Sequence, residues 1–80
     1  MKLISLTLTP EGDPNGDMVE VIFNPNPSIF TSGYVRVVRR IDGSTHLTDH
    51  PDKIRPTLLG AAYRNGIALI DRVCDMTYDY

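Results

Sequence analysis

Alternation of apolar and polar side chains in the first half of the chain is the feature that most constrains its fold. The stretch KLISLTLT places Ile4, Leu6 and Leu8 on one side and hydroxyl residues on the other, a pattern typical of a half-buried β-strand. The stretches MVEVIFN and YVRVVRRI continue as strands of the same kind. Asp42-Gly43 then predicts a two-residue hairpin turn of the primed type, which returns the chain as the strand STHLT. These four stretches together predict an antiparallel sheet.

The second and third strands supply the predicted core of this sheet. The side chains expected to point inward are Val19, Val21 and Phe23 in the second strand and Val35, Val37 and Ile41 in the third. Arg39 shares the inner face of the third strand, so its guanidinium must extend past the core to solvent. Between the two strands, NPNPSIFTSG contains two Asn-Pro steps and predicts an irregular excursion.

A single helix is predicted after the fourth strand. Proline is tolerated only in the first turn of a helix, so Pro56 places the start near Arg55, after a short turn over residues 51–54. Asn65-Gly66 is a typical stop signal and predicts the helix end. Gly60 and the alanines after it are expected to let the helix lie close to the sheet. The residues that recur at helical spacing are Ile54, Leu58, Ala61 and Ala62.

The last segment, IDRVCDMTYDY, is predicted to be a further strand. Its apolar positions mostly share one parity, and its aspartates, Asp71, Asp75 and Asp79, share the other. The predicted fold class is therefore α+β: an antiparallel sheet of four to five strands with a single helix packed on one face, in the order β-β-β-β-α-β. A chain of 80 residues has room for one domain, so residues 1–80 are expected to form a single domain.

No motif in the sequence predicts a catalytic residue, a cofactor or a metal site. The nearest match is the loop EGDPNGD, in which Asp13, Asn15 and Asp17 occupy the first three ligand positions of a calcium loop. Met18 and Asn24 stand where such a loop requires glycine and glutamate. We therefore expect an ordinary acidic turn here.

The histidines and the cysteine give no indication of catalysis. His46 and His50 lack a third metal ligand at a recognised spacing. Cys74 is the only cysteine, so it forms no internal disulfide and is expected to be a small buried apolar residue in a reducing compartment. No signal peptide or membrane span is recognisable. The sequence thus predicts a non-enzymatic, cytoplasmic protein.

The acidic residues of the last segment predict a binding function. Asp71, Asp75 and Asp79 would meet an arginine- or lysine-rich surface of a protein partner, and Tyr78 and Tyr80 would supply aromatic anchors on the opposite parity. Small acidic domains of this kind are common among phage and mobile-element products that inhibit host nucleic-acid machinery, such as CRISPR effectors. The expected function is therefore that of a small inhibitor that occupies a basic surface of a macromolecular partner.

Two alternatives use other surfaces. The first is a face for single-stranded nucleic acid that combines an aromatic platform with strand arginines: Tyr34, Arg36, Arg39 and Arg40. A sequence pI of about 5.5 argues against it, and strand arginines often pair instead with carboxylates such as Glu20 or Asp71. The second alternative is a structural subunit of a virion or another assembly, which would self-associate through the terminal strand.

Overall fold

The structure, a computed structural model, describes residues 2–24 and 34–78. The elements are β1 (Lys2–Leu8), β2 (Asp17–Asn24), β3 (Val35–Arg40), β4 (Thr45–Asp49) and α1 (Pro56–Tyr78). The strands form one antiparallel sheet in the order β1-β2-β3-β4, and α1 packs against β2 and β3. The predicted α+β class, with a four-stranded antiparallel sheet and a single helix after it, is confirmed.

The core lies between α1 and the two central strands. Its buried residues are Val19, Val21 and Phe23 of β2, Val35 and Val37 of β3, and Ala62 and Ile70 of α1. The inward positions predicted for these two strands are confirmed except for Ile41, which is 62% exposed. Ile41 follows the last residue of β3 and belongs to the turn, so it no longer shares the inner face of the strand.

The β3–β4 connection has the predicted position but a different turn type. Gly43 N–H donates to the Arg40 carbonyl at 2.9 Å, and Arg40 N–H donates to the Ser44 carbonyl at 2.9 Å. Gly43 has a φ of 90°, and no other type of residue in the described chain has a positive φ. Both types of primed turn require a positive φ at the first central residue, which here is Asp42. The connection is therefore a three-residue loop that ends in a glycine bulge.

The start of α1 agrees with the sequence-based expectation. Ile54 N–H donates to the Pro51 carbonyl at 3.4 Å, which closes the short turn that precedes the helix. Leu59 N–H donates to the Arg55 carbonyl at 2.9 Å, so the first helical bond begins at the residue before Pro56. Proline at the first helical position has no N–H to leave unsatisfied, which explains why it is tolerated here.

The predicted helix end and the predicted last strand are both wrong. α1 continues through Asn65 and Gly66 to Tyr78 without interruption. Gly66 is not a stop signal, because it is buried against β3: an added Cβ would lie 2.9 Å from both Cβ and Cγ2 of Val37. Gly60, predicted to give the close approach, would meet only the Arg64 Nη1 atom at 3.4 Å.

The helical period also changes how the terminal aspartates are arranged. Asp71 and Asp75 lie one helical turn apart on α1 rather than on a strand. Residues 71–78 are helical, so self-association through a terminal strand has no strand to use in the described chain. Asp79 and Tyr80 lie outside the described residues.

β1 is the edge strand beside β2. Leu3, Leu6 and Leu8 lie opposite Phe23, Val21 and Val19, and the register shifts between Leu3 and Ser5. Because of this shift, Leu3 lies on the same face as Leu6 and Leu8, and Ile4 does not lie on the apolar face that was predicted for it. All four apolar side chains of β1 are 37–55% exposed, because α1 packs over β2 and β3. The strand predicted to be half-buried is therefore largely exposed.

Candidate binding surface

Arg36 is the centre of a charged network on the face of the sheet that α1 does not cover, called here the open face. Arg36 Nε donates to Glu20 Oε2 at 2.7 Å, and Nη2 lies 2.6 Å from the same oxygen. Nη1 donates to Thr48 Oγ1 at 3.0 Å, and Nη2 lies 3.3 Å from Asp17 Oδ2. Burial lowers the pKa of Arg36, but the hydrogen bond and charge of Glu20 outweigh it, so the pKa is raised.

Asp17 joins a second arginine to this network. Its side chain is only 7% exposed, and Oδ1 lies 3.4 Å from Nε of Arg40, an ion pair without a hydrogen bond. A register shift between Asp17 and Val19 turns the aspartate to the open face, away from the core side that Val19 occupies. Asp13 fixes its backbone, because Asp13 Oδ1 accepts the Asp17 N–H at 2.8 Å.

Arg39 lies on the opposite face and binds α1. Its Nη1 donates to Asp71 Oδ1 at 2.6 Å, and its Nε donates to Thr45 Oγ1 at 3.1 Å. Burial lowers the pKa of Arg39, and the hydrogen bond to Asp71 more than reverses this effect, so the pKa is raised. Asp71 is still 53% exposed at its side chain.

The residues of the predicted nucleic-acid face therefore do not form one surface. Arg36 and Arg40 lie on the open face, whereas Arg39 lies on the helix face, and each of the three has a carboxylate partner. Tyr34 is 48% exposed and precedes β3. The pairing that the sequence suggested, of strand arginines with Glu20 and Asp71, is what the structure shows.

Several carboxylates belong to the segments at the end of the sheet where the β1–β2 and β3–β4 connections meet. Ile41 N–H donates to the Gly16 carbonyl at 2.9 Å and joins the two connections. Asp71 lies at the same end because it forms an ion pair with Arg39 of β3, and Asp75 lies one helical turn after Asp71. We call this region the acidic end, and it comprises Glu11, Asp13, Asp42, Asp71 and Asp75.

Two members of the acidic end hold the connections in shape. Asp13 Oδ1 accepts N–H groups from Asn15 and Asp17, so it orders the β1–β2 connection. Asp42 Oδ1 accepts the Ser44 N–H at 2.8 Å and the Ser44 hydroxyl at 2.5 Å. These hydrogen bonds, the hydroxyl first, lower the pKa of Asp42.

The other members are available to a partner. Glu11 and Asp75 are exposed and make no hydrogen bond or ion pair with the described residues. Asp71 shares one oxygen with Arg39 and remains half exposed. Asp71 and Asp75 were predicted from the sequence to contact a partner, and that role stays a prediction. Tyr78 ends the described helix, and its side chain lies outside the description.

Sequence reasoning did not single out Glu11 and Asp42 as members of the surface. They are 31 positions apart in the chain and lie at the same end of the sheet only because two connections pack together. The available signal was the acidity of both turn segments, EGDPNGD and Asp42-Gly43, at connections that leave the same end of an antiparallel sheet.

The opposite end of the sheet is basic. Lys2 lies opposite Asn24 at the far end of β2, and Asp49 ends β4 on the same side. The β4–α1 connection adds further charges. The charged residues in this part are Lys2, Lys53 and Arg55, against Asp49 and Asp52.

Three further features of the described residues concern ligand binding. Within residues 2–24 and 34–78, no group of three or more His, Cys, Asp or Glu side chains could hold a metal ion. Cys74 is half-buried and packs against the core. A shallow groove of about 470 Å³ lies between β4 and α1, with Leu47, Leu59 and Tyr63 among its lining residues.

Comparison with known proteins leaves these features as the basis for assigning a function. No family model, no curated protein and no solved structure matches the chain. In the part of the chain that the structure describes, no helix has the length and apolarity needed to cross a bilayer.

Proposed function

We propose that this chain is a small non-enzymatic binding protein whose acidic end occupies a basic surface of a protein partner. One observation carries the proposal: the three strand arginines are all neutralised within the molecule, whereas Glu11 and Asp75 display unpaired carboxylates. The charge that an approaching macromolecule meets at this end is therefore negative.

The charge balance at the acidic end favours a cationic partner. With Asp17, this end holds six carboxylates against the four arginines that pair with them or adjoin them in the chain: Arg36, Arg39, Arg40 and Arg72. Complementary potentials of this kind accelerate association and select the orientation of docking. A partner rich in arginine or lysine would form ion pairs with these carboxylates at the rim of the interface.

The mechanism is steric and electrostatic. A basic surface large enough to accept several separate carboxylates is typical of proteins that bind nucleic-acid phosphates. By covering that surface, the chain would exclude the nucleic acid and act as an inhibitor, as would a phage or mobile-element product directed at host nucleic-acid machinery. The proposal places this activity in the cytoplasm, because Cys74 has no second cysteine with which to pair.

The test is a pull-down from nuclease-treated lysate with two matched variants. Glu11→Gln with Asp75→Asn removes two unpaired charges from the acidic end, and Asp49→Asn with Asp52→Asn removes two from the basic end. All four residues are exposed, so both variants are expected to fold as the wild type does.

The proposal expects a basic protein that the wild type and the Asp49/Asp52 variant capture and that the Glu11/Asp75 variant loses. Nuclease treatment removes bridging nucleic acid, and a wash at high salt should release the partner because exposed ion pairs are screened. Equal capture by all three baits would contradict the proposal. Capture of labelled single-stranded nucleic acid by the purified protein would favour the nucleic-acid alternative instead.

A further inference from the structure

β1 is an edge strand of the described sheet and has almost no charge to protect it. Natural edge strands are usually blocked by charged residues, proline or short length, because their free backbone groups pair with other strands. β1 is seven residues long, and residues 3–9 contain only leucine, isoleucine, serine and threonine. The protecting features of β1 lie at its ends: Lys2 and a bulge near Leu3 at one end, and Pro10, two residues after Leu8, at the other.

The free backbone groups of β1 can be assigned to particular residues. Thr9 N–H donates to the Met18 carbonyl at 2.7 Å, so Thr9 directs its backbone groups toward β2. Successive residues of a strand direct their N–H and C=O groups to opposite sides. Leu6 and Leu8 therefore direct theirs away from β2, where no strand of the described chain lies.

The other edge of the sheet is shorter and ends in a charge. β4 is five residues long and ends at Asp49, and Pro51 follows shortly after it. Like β1, it has a register shift in its pairing, between Arg36 and Val37 of β3. Within the described sheet, β1 is therefore the longer edge and the one whose residues 3–9 carry no charge.

We infer that β1 pairs with β1 of a second copy of this chain, antiparallel, to form a dimer with one continuous sheet. The occupant is a second copy because the strand is self-complementary. A two-fold axis through Thr7, perpendicular to the sheet, places Leu6 of each copy opposite Leu8 of the other. The outward N–H and C=O groups of Leu6 and Leu8 then meet, and leucines face leucines on the helix side.

The composition of β1 is compatible with this register, because residues 3–9 carry no charge and therefore bring no like charges together. The dimer goes beyond the proposed function and does not depend on it.

The first test measures the dimer by sedimentation velocity over a range of protein concentration. Thr7→Lys would place two like charges directly opposite each other, which is unfavourable across a strand pair. Thr7 is exposed and lies opposite Glu20 in β2, so the substitution is expected to leave the monomer folded. Ala68→Lys adds the same charge to the exposed side of α1 and serves as the control.

We expect the wild type and Ala68→Lys to dimerise with similar affinity. The dissociation constant of the Thr7→Lys dimer should be at least about tenfold higher. Circular dichroism and urea unfolding establish that Thr7→Lys is folded. A wild type that stays monomeric at the highest concentration would overturn the inference, as would dimerisation of folded Thr7→Lys equal to that of the wild type.

The second test reads the register with Cys74→Ser as the background. Facing residues on the two-fold axis have Cα atoms about 4.5 Å apart when they are not hydrogen-bonded to each other, which is within disulfide range. Thr7→Cys should therefore form a disulfide-linked dimer on mild oxidation, whereas Ser5→Cys faces Thr9 and should not. Linkage of Ser5→Cys without linkage of Thr7→Cys would overturn the register.

Discussion

Asp42 orders the β3–β4 turn through one carboxylate oxygen. That oxygen accepts both the Ser44 N–H and the Ser44 hydroxyl, and the hydroxyl oxygen lies 2.7 Å from His46 Nε2. An ionised carboxylate is a stronger acceptor than a protonated one, which is why these bonds lower the pKa of Asp42. A member of the acidic end therefore also stabilises the turn that presents it.

We predict that Asp42→Asn makes the stability of the protein less dependent on pH in the acid range. The pKa of Asp42 is lowered from its ordinary value of 3.8 in the folded state, so its ionised form contributes stability above that pH. This contribution is lost as the pH falls through the lower, folded-state pKa. The variant should thus be less stable than the wild type at about pH 7, and the difference should shrink as the pH falls through the folded-state pKa of Asp42.

Urea unfolding across this range measures the effect, with Asp52→Asn as the control. Asp52 is an exposed aspartate with no hydrogen bond or ion pair to the described residues. A constant difference between wild type and Asp42→Asn at all pH values would show that the carboxylate charge does not stabilise the turn.

At the scale of elements, the contact between α1 and β3 depends on the absence of a side chain at Gly66. The helix approaches Val37 so closely that a Cβ atom would need either residue to move. Ala62 and Ile70, one turn on either side, complete a buried stripe at intervals of four residues. The position of α1 on the sheet is therefore fixed at its middle rather than at its ends.

We predict opposite effects for two glycine-to-alanine substitutions in α1. Gly66→Ala should destabilise the protein by about 1–3 kcal/mol, because overpacking against Val37 outweighs the gain in helix propensity. Gly60→Ala should stabilise it by up to about 1 kcal/mol, because its only near neighbour is a flexible arginine side chain. Urea unfolding of both variants provides the measurement, and a stabilised Gly66→Ala would contradict the packing described here.

The same contact explains which elements the sequence could predict. The strands β1 to β4 follow from alternation and turn residues, and the start of α1 follows from Pro56, because each signal is local. The role of Gly66 is not local: glycine after asparagine is a stop signal in isolation and a packing contact only when Val37 lies above it. Ending the predicted helix at Gly66 left a short last segment to be assigned by itself. Because both a helical and an alternating period fit its apolar and acidic residues, it was wrongly predicted to be a strand.

At the scale of the whole molecule, the negative and positive charges are separated between the two ends of the sheet. β2 spans eight residues, about 26 Å of extended chain, and separates the acidic end from the basic end. That distance exceeds a Debye length of about 8 Å at physiological salt, so the two ends act independently on an approaching partner. The net charge of −2 conceals this separation.

The sequence could indicate part of this surface and not the rest. Asp71 and Asp75 share a face at an interval of four on a helix, and the acidity of the terminal segment is visible in the chain. The neutralisation of the arginines required the sheet register, since Asp17 reaches the open face only through the shift beside Val19. Long-range pairing of this kind decides which charges remain available.

The central claim is that the acidic end, and not the set of strand arginines, is the binding surface. Its most direct test is a nuclear magnetic resonance titration of the isotope-labelled protein with decalysine and, separately, with oligothymidine. We predict that decalysine shifts backbone signals in residues 11–13, 42–44 and 71–75 and leaves residues 49–55 unchanged, and that oligothymidine shifts none of them. Shifts caused by oligothymidine around Arg36 and Arg40, without a response of the acidic end to decalysine, would contradict the account.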